Sequence, residues 1–257
     1  MLGEALIQAA GRHDRLVLTS VLLFVILLSW VYLLTGAGMT EEMGGMLMPM
    51  STGPWTLGRA AVVAVMWTAM MAAMMLPSAM PVILLHATIV RRHGAGAGPA
   101  TACFALGYFS VWVTFSLGAA ALQFAMENAA LLSPMMQTTS ISLAGAVLMA
   151  AGAYQWTPLK HSCLRHCRSP LEFVATYWRP GTGGAFLMGL RHGLYCLGCC
   201  WMLMLLLFVG GVMNLVWISG LALFVLVEKL APAGHWTGRA AGTVLVVWGI
   251  ATLLASR

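Results

Sequence analysis

The sequence of 257 residues contains 13 Lys and Arg and 7 Asp and Glu, so that 8% of its residues are charged and 61% are hydrophobic. Soluble domains carry about 25% charged residues, and so few polar groups cannot cover a domain of this size in water. Lipid is therefore the predicted solvent. The net charge of +6 forms no basic stripe with interleaved aromatic residues, which excludes nucleic acid as a predicted partner.

Windows without Asp, Glu, Lys or Arg predict the membrane helices, because a helix needs about 20 apolar residues to cross the hydrocarbon core. In chain order these windows are 16–40, 60–90, 93–126, 128–159, 192–227 and 240–256. Gly210 and Gly211 offer a turn that divides the fifth window, so the count is seven. Continuous apolar windows favour helices over barrel strands. The predicted fold is an all-α, polytopic transmembrane helix bundle in one domain, 16–257, preceded by a polar lead, 1–15.

The Lys and Arg residues of the connections alternate between the two sides of these seven spans. By the positive-inside rule they place the N-terminus inside and the C-terminus outside. Arg59 and Arg257 depart from the pattern. The residues predicted to lie inside are Arg12, Arg15, Arg91, Arg92, Lys160, Arg165, Arg168, Arg179, Lys229 and Arg239.

Two connections are longer than turns. The outer loop, 36–56, is rich in methionine and either captures Cu(I) or rests on the membrane interface; its methionines are Met39, Met43, Met46, Met48 and Met50. The inner loop, 157–183, holds Cys163, Cys167 and His166 among cations that we expect to lower the thiol pKa values. Its alternative role is to bind anionic lipid headgroups. The Cys-x3-Cys spacing without a second pair does not indicate a structural zinc site.

The second predicted helix carries methionines at a spacing that places them on one helix face. Thioethers are soft, neutral ligands that suit Cu(I), although methionine is also an adaptable filler of hydrophobic cores. The candidate ligands here are Met70, Met71, Met74 and Met75. The sequence leaves open whether this helix ends at Pro77 or continues, kinked, to Val90.

The fifth predicted helix carries a column of soft donors. His192, Cys196 and Cys200 follow one another at steps of four, and Cys199 lies one position aside. Thiolates with an imidazole form a set that binds soft metals, and three thiols are costly in lipid unless they function. Buried packing of small hydrophobic side chains is the alternative. We expect the adjacent residues Glu228 and Lys229 to form a pair at a helix end.

Three motifs resemble a bacterial family of polytopic membrane proteins, described as metal-binding and sometimes labelled copper chaperones. They are Met-Met-Ala-Ala-Met-Met-Leu-Pro-Ser at 70–78, the segment from Tyr-Gln-Trp-Thr-Pro to Cys-Arg-Ser-Pro at 154–170, and the Cys-Leu-Gly-Cys-Cys-Trp-Met-Leu-Met stretch that ends at 204. The resemblance covers residues from about 60 to 228 and implies metal binding in a bacterial membrane protein.

Together these features predict an inner-membrane protein that handles copper, as Cu(I) or another soft metal, in a site between the second and fifth spans. Cys163, Cys167 and His166 form a predicted inner station of a relay, with the outer methionines at its other end. Predicted partners are the lipid bilayer and a soluble copper carrier or a cuproenzyme. No nucleotide-binding loop is present, which argues against ATP-driven pumping by this chain, and the protein is not predicted to be an enzyme. The alternatives are a membrane thiol–disulfide oxidoreductase and a helical anchor subunit.

Overall fold

The computed structural model describes residues 2–37, 40–43, 46–49, 55–92, 97–133, 136–232 and 234–255. Two short strands, β1 (Thr40–Met43) and β2 (Met46–Pro49), pair antiparallel within the predicted outer loop. The remaining elements confirm the predicted all-α fold. The helices are α1 (Leu2–Leu34), α2 (Leu57–Arg92), α3 (Ala97–Asn128), α4 (Ile141–Tyr154), α5 (Pro158–Arg168), α6 (Pro170–Tyr177), α7 (Gly181–Leu205), α8 (Leu207–Gly210), α9 (Leu215–Leu230) and α10 (Gly234–Ala255).

Five helical segments are long and apolar enough to cross a membrane, as judged by length and composition. They are Arg15–Leu34, Leu57–Arg92, Gly98–Asn128, Gly181–Gly210 and Trp236–Ala255. Helix α4 is apolar but has 14 residues, and α9 has 16. Seven crossings and the orientation with the N-terminus inside therefore stay predictions, whereas the pattern of a polytopic membrane protein is clear.

Helix α2 runs without interruption through Pro77 and Pro81, which answers the question that the sequence left open. Its 36 residues correspond to about 54 Å at 1.5 Å per residue. The hydrocarbon core is about 30 Å thick, so part of this helix lies beyond the core. The methionine face of α2 is thereby carried on one continuous helix.

The fourth predicted window, 128–159, is helical over a shorter stretch than the sequence indicates. Helix α4 begins at Ile141, where Ser140 Oγ accepts a hydrogen bond from the Leu143 amide at 3.2 Å. Before it, the Thr138 amide donates to the Phe208 carbonyl at 2.8 Å. These contacts satisfy backbone groups that the apolar pattern alone assigns to a helix.

The break predicted at Gly210 and Gly211 is confirmed. Helix α8 ends at Gly210, and Gly211 adopts a φ of +95°, a conformation that glycine adopts without steric cost. Helix α9 then begins after Asn214, whose side-chain oxygen accepts from the Trp217 amide at 3.2 Å. The fifth window is therefore divided, with α7 and α8 before the break and α9 after it.

Glycines allow the helices of the core to approach closely. Helix α3 packs tightly against α7, and a Cβ at Gly189 would overlap the carbonyl group of Phe104 on the neighbouring helix. A second close pair joins α4 to α10, where a Cβ at Gly152 would lie 2.7 Å from the Gly242 carbonyl oxygen. Small residues at helix interfaces are the usual means of close packing in membranes.

The predicted inner loop is largely helical. Thr157 Oγ1 caps α5 by accepting from the Lys160 amide at 3.3 Å, and Pro158 occupies the first turn, where its missing amide hydrogen costs nothing. Helix α5 packs against α7. Because Cys163 and Cys167 are four residues apart on this helix, they share one face, as expected for a helical segment.

We predict that replacing Gly189 with alanine destabilises the protein, because the added methyl group overlaps the backbone of α3. Overpacking of this kind costs about 1–3 kcal/mol. Thermal unfolding in detergent, followed by tryptophan fluorescence, measures the effect.

The matched control is Gly118→Ala, since nothing lies within 4 Å of a Cβ placed there. It should change stability by no more than about 0.5 kcal/mol. Equal stability of the two variants would contradict the glycine contact as the basis of α3 and α7 packing.

Candidate metal site

Three thiols of α7 form the centre of the candidate site. Cys196, Cys199 and Cys200 are each at most 1% exposed. The Sγ atoms of Cys199 and Cys200 donate to the Cys196 carbonyl oxygen at 3.1 and 3.0 Å. All three side chains therefore lie within one turn of helix, as the spacing of the sequence predicts. The cysteines are free thiols.

Helices α2 and α3 complete this cluster. The Cys200 Sγ lies 3.9 Å from Met75 Sδ, so a thioether of α2 meets a thiol of α7. From α3, the Tyr108 hydroxyl lies 3.1 Å from Cys196 Sγ and donates to the Met75 carbonyl oxygen at 3.2 Å. Tyr108 thus links the two helices that carry the sulfur atoms.

The cluster includes a buried cation that the sequence analysis did not assign to it. Lys229, at the end of α9, is 4% exposed, and its Nζ donates to Cys196 Sγ at 2.9 Å and to Ser78 Oγ at 3.2 Å. The predicted pair with Glu228 is wrong, because adjacent residues of a helix do not face each other. That geometric rule, applied to the sequence, could have indicated separate partners for Glu228 and Lys229.

Glu228 pairs with Lys160 of α5. The Lys160 Nζ lies 2.7 Å from Glu228 Oε1 and 2.8 Å from Oε2, and both side chains are 1% exposed. The same Nζ donates to the side-chain oxygen of Gln155. This buried ion pair fixes α5 against α9, beside the thiol cluster.

The cysteines of α5 extend the cluster of thiols. Cys167 is buried, and the neighbouring Cys196 and Cys199 sulfurs, together with burial, hold its pKa well above the ordinary value. Cys163 is half-buried against α7, where a Cβ at Gly198 would lie 2.7 Å from its Sγ. Burial also raises the pKa of Cys163. The expected lowering of both pKa values by nearby cations is therefore wrong, since the thiols face α7 rather than the charged side of α5.

The two candidate histidines have different immediate surroundings. His192 is 2% exposed, and within the described residues its Nδ1 has no hydrogen-bond partner. Its ring packs edge-on with that of Phe173, the ring centroids lying 4.9 Å apart. His166 instead stacks on Tyr195 with ring centroids 4.1 Å apart, and its Nδ1 lies 2.9 Å from the Ser162 carbonyl oxygen. His166 therefore belongs to an aromatic group beside α5 and α7.

The other candidate methionines of α2 are buried. Met70 and Met71 are fully enclosed in the core nearer the start of the helix. Met74 lines a groove with Trp30 of α1 and Leu223 of α9, which is a different side of α2 from the one that Met75 presents. The methionine that the structure brings to the thiols is Met75.

Within the part of the chain that the structure describes, no group of three or more His, Cys, Asp and Glu side chains has the arrangement of a metal centre. The donor chemistry nevertheless fits a soft ion, because thiols and thioethers are the ligands that select Cu(I). Of the outer methionines, Met39 and Met50 lie outside the described residues, as do the side chains of Met43, Met46 and Met48.

We predict that Lys160→Met destabilises the protein by about 3–5 kcal/mol, because it leaves the buried carboxylate of Glu228 without its cation. Thermal unfolding in detergent provides the measurement. The double variant Lys160→Met, Glu228→Gln removes both charges and should recover most of the loss. A single variant as stable as the native protein would show that the pair has no structural role.

One comparison with known proteins places this arrangement in a family. No curated protein and no solved structure matches the chain. The model of the PpoB2 family, described as "Copper chaperone", matches residues 64–252, which include the thiols of α5 and α7, the methionines of α2, and Lys229. Since the match covers well over half of the chain, this protein belongs to the PpoB2 family of copper chaperones.

Proposed function

We propose that this protein is a copper chaperone of the bacterial inner membrane that holds Cu(I) between α2 and α7. The observation that carries this proposal is the contact of Cys200 Sγ with Met75 Sδ at 3.9 Å. Two sulfurs that bind one ion at about 2.3 Å with a trigonal angle lie about 4 Å apart. Cys196 is the third ligand in the proposal, because Cys200 and Cys196 are neighbours on the same face of α7.

The remaining soft donors have supporting roles in this proposal. Cys199 is a further soft donor as a neutral thiol, since its Sγ donates to the Cys196 carbonyl oxygen at 3.1 Å. His192 is a nitrogen donor whose buried Nδ1 has no hydrogen-bond partner among the described residues. Met70, Met71 and Met74 form the approach along α2. Neutral thioethers suit such a path, since they attract a soft cation without the cost of burying a charge.

Cu(I) leaves the site through the thiols of α5 in this proposal. Cys167 is buried and interacts electrostatically with Cys196 and Cys199, and Cys163 lies next to Gly198 and is only half-buried. The thiols thus lead from the fully buried cluster to the surface of α5. Copper moves along them by ligand exchange, in which a new thiolate binds before the previous one is released, and its oxidation state does not change.

The position in the cell follows from the predicted orientation. With the N-terminus inside, the segment of α5 and α6 lies on the cytoplasmic side, and a soluble copper carrier or a cuproenzyme is the partner that exchanges copper there. The outer methionines form the outer end of the proposed path, and His166 belongs to its inner end. In the absence of a nucleotide-binding motif, the transfer is passive and follows the affinity of the acceptor.

Elemental analysis of the purified protein tests the site. We expect about one copper per chain after isolation under reducing conditions without a metal-affinity tag, and almost none in the variant Cys196→Ser, Cys200→Ser, because Cu(I) loses both thiolates. Cys103→Ser is the matched control, since this half-buried thiol lies on α3 and should leave the copper content unchanged.

One outcome would contradict the copper site, and a further measurement then names its replacement. Native protein that is isolated without copper and does not bind Cu(I) on titration would exclude it. If that metal-free protein cycles its thiols to disulfides with a quinone or thioredoxin-like partner, the thiol–disulfide oxidoreductase replaces the chaperone as the proposed function.

The exit path predicts a separate effect on the rate of transfer. The variant Cys163→Ser, Cys167→Ser should retain copper but release it to a soluble Cu(I) chelator about tenfold or more slowly, the scale that neighbouring residues of metal sites show. Stopped-flow absorbance of the chelator complex measures this rate. An unchanged rate at equal copper content would place the exit elsewhere.

A further inference from the structure

We propose that Lys229 makes this metal site selective for monovalent over divalent soft cations. The inference rests on the proposed copper site and adds to it a residue that is not itself a ligand. An ammonium group has three donors and no acceptor, so it cannot bind the metal. It acts through the charge that it fixes beside the thiols.

The position of this charge is defined by two contacts from two helices. The Lys229 Nζ donates to Cys196 Sγ of α7 at 2.9 Å and to Ser78 Oγ of α2 at 3.2 Å. Ser78 Oγ itself donates to the Met75 carbonyl oxygen at 2.9 Å. The ammonium is therefore held between α2, which carries the Met75 thioether, and α7, which carries the thiols.

The neighbouring charges leave the positive charge of Lys229 directed at the thiols. Glu228, the carboxylate next to it in sequence, is matched by Lys160 at 2.7 Å. Burial makes this important, since Lys229 is 4% exposed and Cys196 is 1% exposed. At such depth neither water nor salt screens the interaction strongly.

The charges of the loaded site balance for a monovalent ion. Cys196 and Cys200 supply two negative charges as thiolates, Met75 supplies none, and Cu(I) and Lys229 each supply one positive charge. The sum is zero. A divalent ion on the same two thiolates leaves one uncompensated positive charge, which is costly in a low-dielectric interior. Each thiol that becomes a ligand releases its proton to solvent, and no electron is transferred.

Removal of the lysine charge reverses this preference. Without it, the two thiolates and a divalent ion are neutral together, and the monovalent complex carries one negative charge. A residue with a merely structural role would change the stability of the protein or its affinity for all metals, whereas the charge of Lys229 changes the ratio of the affinities. The ratio is therefore the informative measurement.

Competition between Ag(I) and Cd(II) tests this inference, because both ions are soft and neither changes oxidation state. The purified full-length protein is titrated with each ion, and with Cu(I) under anaerobic reducing conditions. In the native protein we expect Ag(I) and Cu(I) to exclude Cd(II). In Lys229→Met the ratio of monovalent to divalent affinity should fall by about tenfold or more, while Lys229→Arg retains the charge and the selectivity.

A second variant tests the same idea without removing the lysine. Ser78→Asp places a carboxylate where Lys229 now meets a hydroxyl, so the ammonium charge is neutralised by an ion pair. It should lower the ratio as Lys229→Met does. Ser78→Asn, which has the size of aspartate and no charge, is its matched control, and it should lower the ratio clearly less than Ser78→Asp does.

The outcomes separate this inference from the proposed function. Native protein that binds neither Ag(I) nor Cu(I) overturns the copper site and the inference with it. Native protein that binds both, with a ratio that stays the same in Lys229→Met and in Ser78→Asp, overturns the role of Lys229 alone. Should Lys229→Met fail to fold, the ratio in Ser78→Asp decides the matter.

Discussion

The contact between the Lys229 ammonium group and the Cys196 thiol is the interaction around which the site is organised. A cation buried within a helix bundle needs a partner, because lipid and packed side chains do not solvate a charge. The Lys229 Nζ donates to Cys196 Sγ at 2.9 Å and to Ser78 Oγ at 3.2 Å. The contact joins α9 to α7 and α2, the three helices whose side chains surround the candidate site.

Close packing of α3 and α7 is the condition for this arrangement. Gly107, Gly189 and Gly193 lie where a Cβ would meet the opposite helix, so their absence of side chains lets the two backbones approach. Tyr108 can then reach both the Cys196 sulfur and the Met75 carbonyl oxygen. A wider separation of the helices would leave the sulfur atoms of α2 and α7 without this common neighbour.

Two buried polar pairs share one end of α9. Glu228 is joined to Lys160, and Lys229 to Cys196. The first pair fixes the short helix α5 against α9, and α5 in turn places Cys167 against the thiols of α7. The Glu228–Lys160 ion pair and the Lys229–Cys196 contact are thus linked, because Glu228 and Lys229 are neighbouring residues of α9. This coupling gives a physical reason why the inner segment packs against α7 and α9.

The sequence by itself determined the all-α membrane fold, because a chain with 8% charged residues and long apolar windows can satisfy its backbone in lipid only by helices or closed barrels. It also determined that Cys196, Cys199 and Cys200 lie within one turn, since helical spacing is local. The two adjacent glycines also predicted the helix break at Gly210 and Gly211 from local sequence.

Only the tertiary structure decided which distant side chains meet. Met75 rather than Met74 contacts the thiols because of how α2 is rotated about its axis relative to its neighbours. The spacing of residues within α2 does not reveal that rotation. The partner of Lys229 depends on where α9 packs, and the raised pKa values of Cys163 and Cys167 depend on which face of α5 meets α7. These contacts join residues far apart in the chain, and their free energy arises from burial that exists only once the helices have assembled.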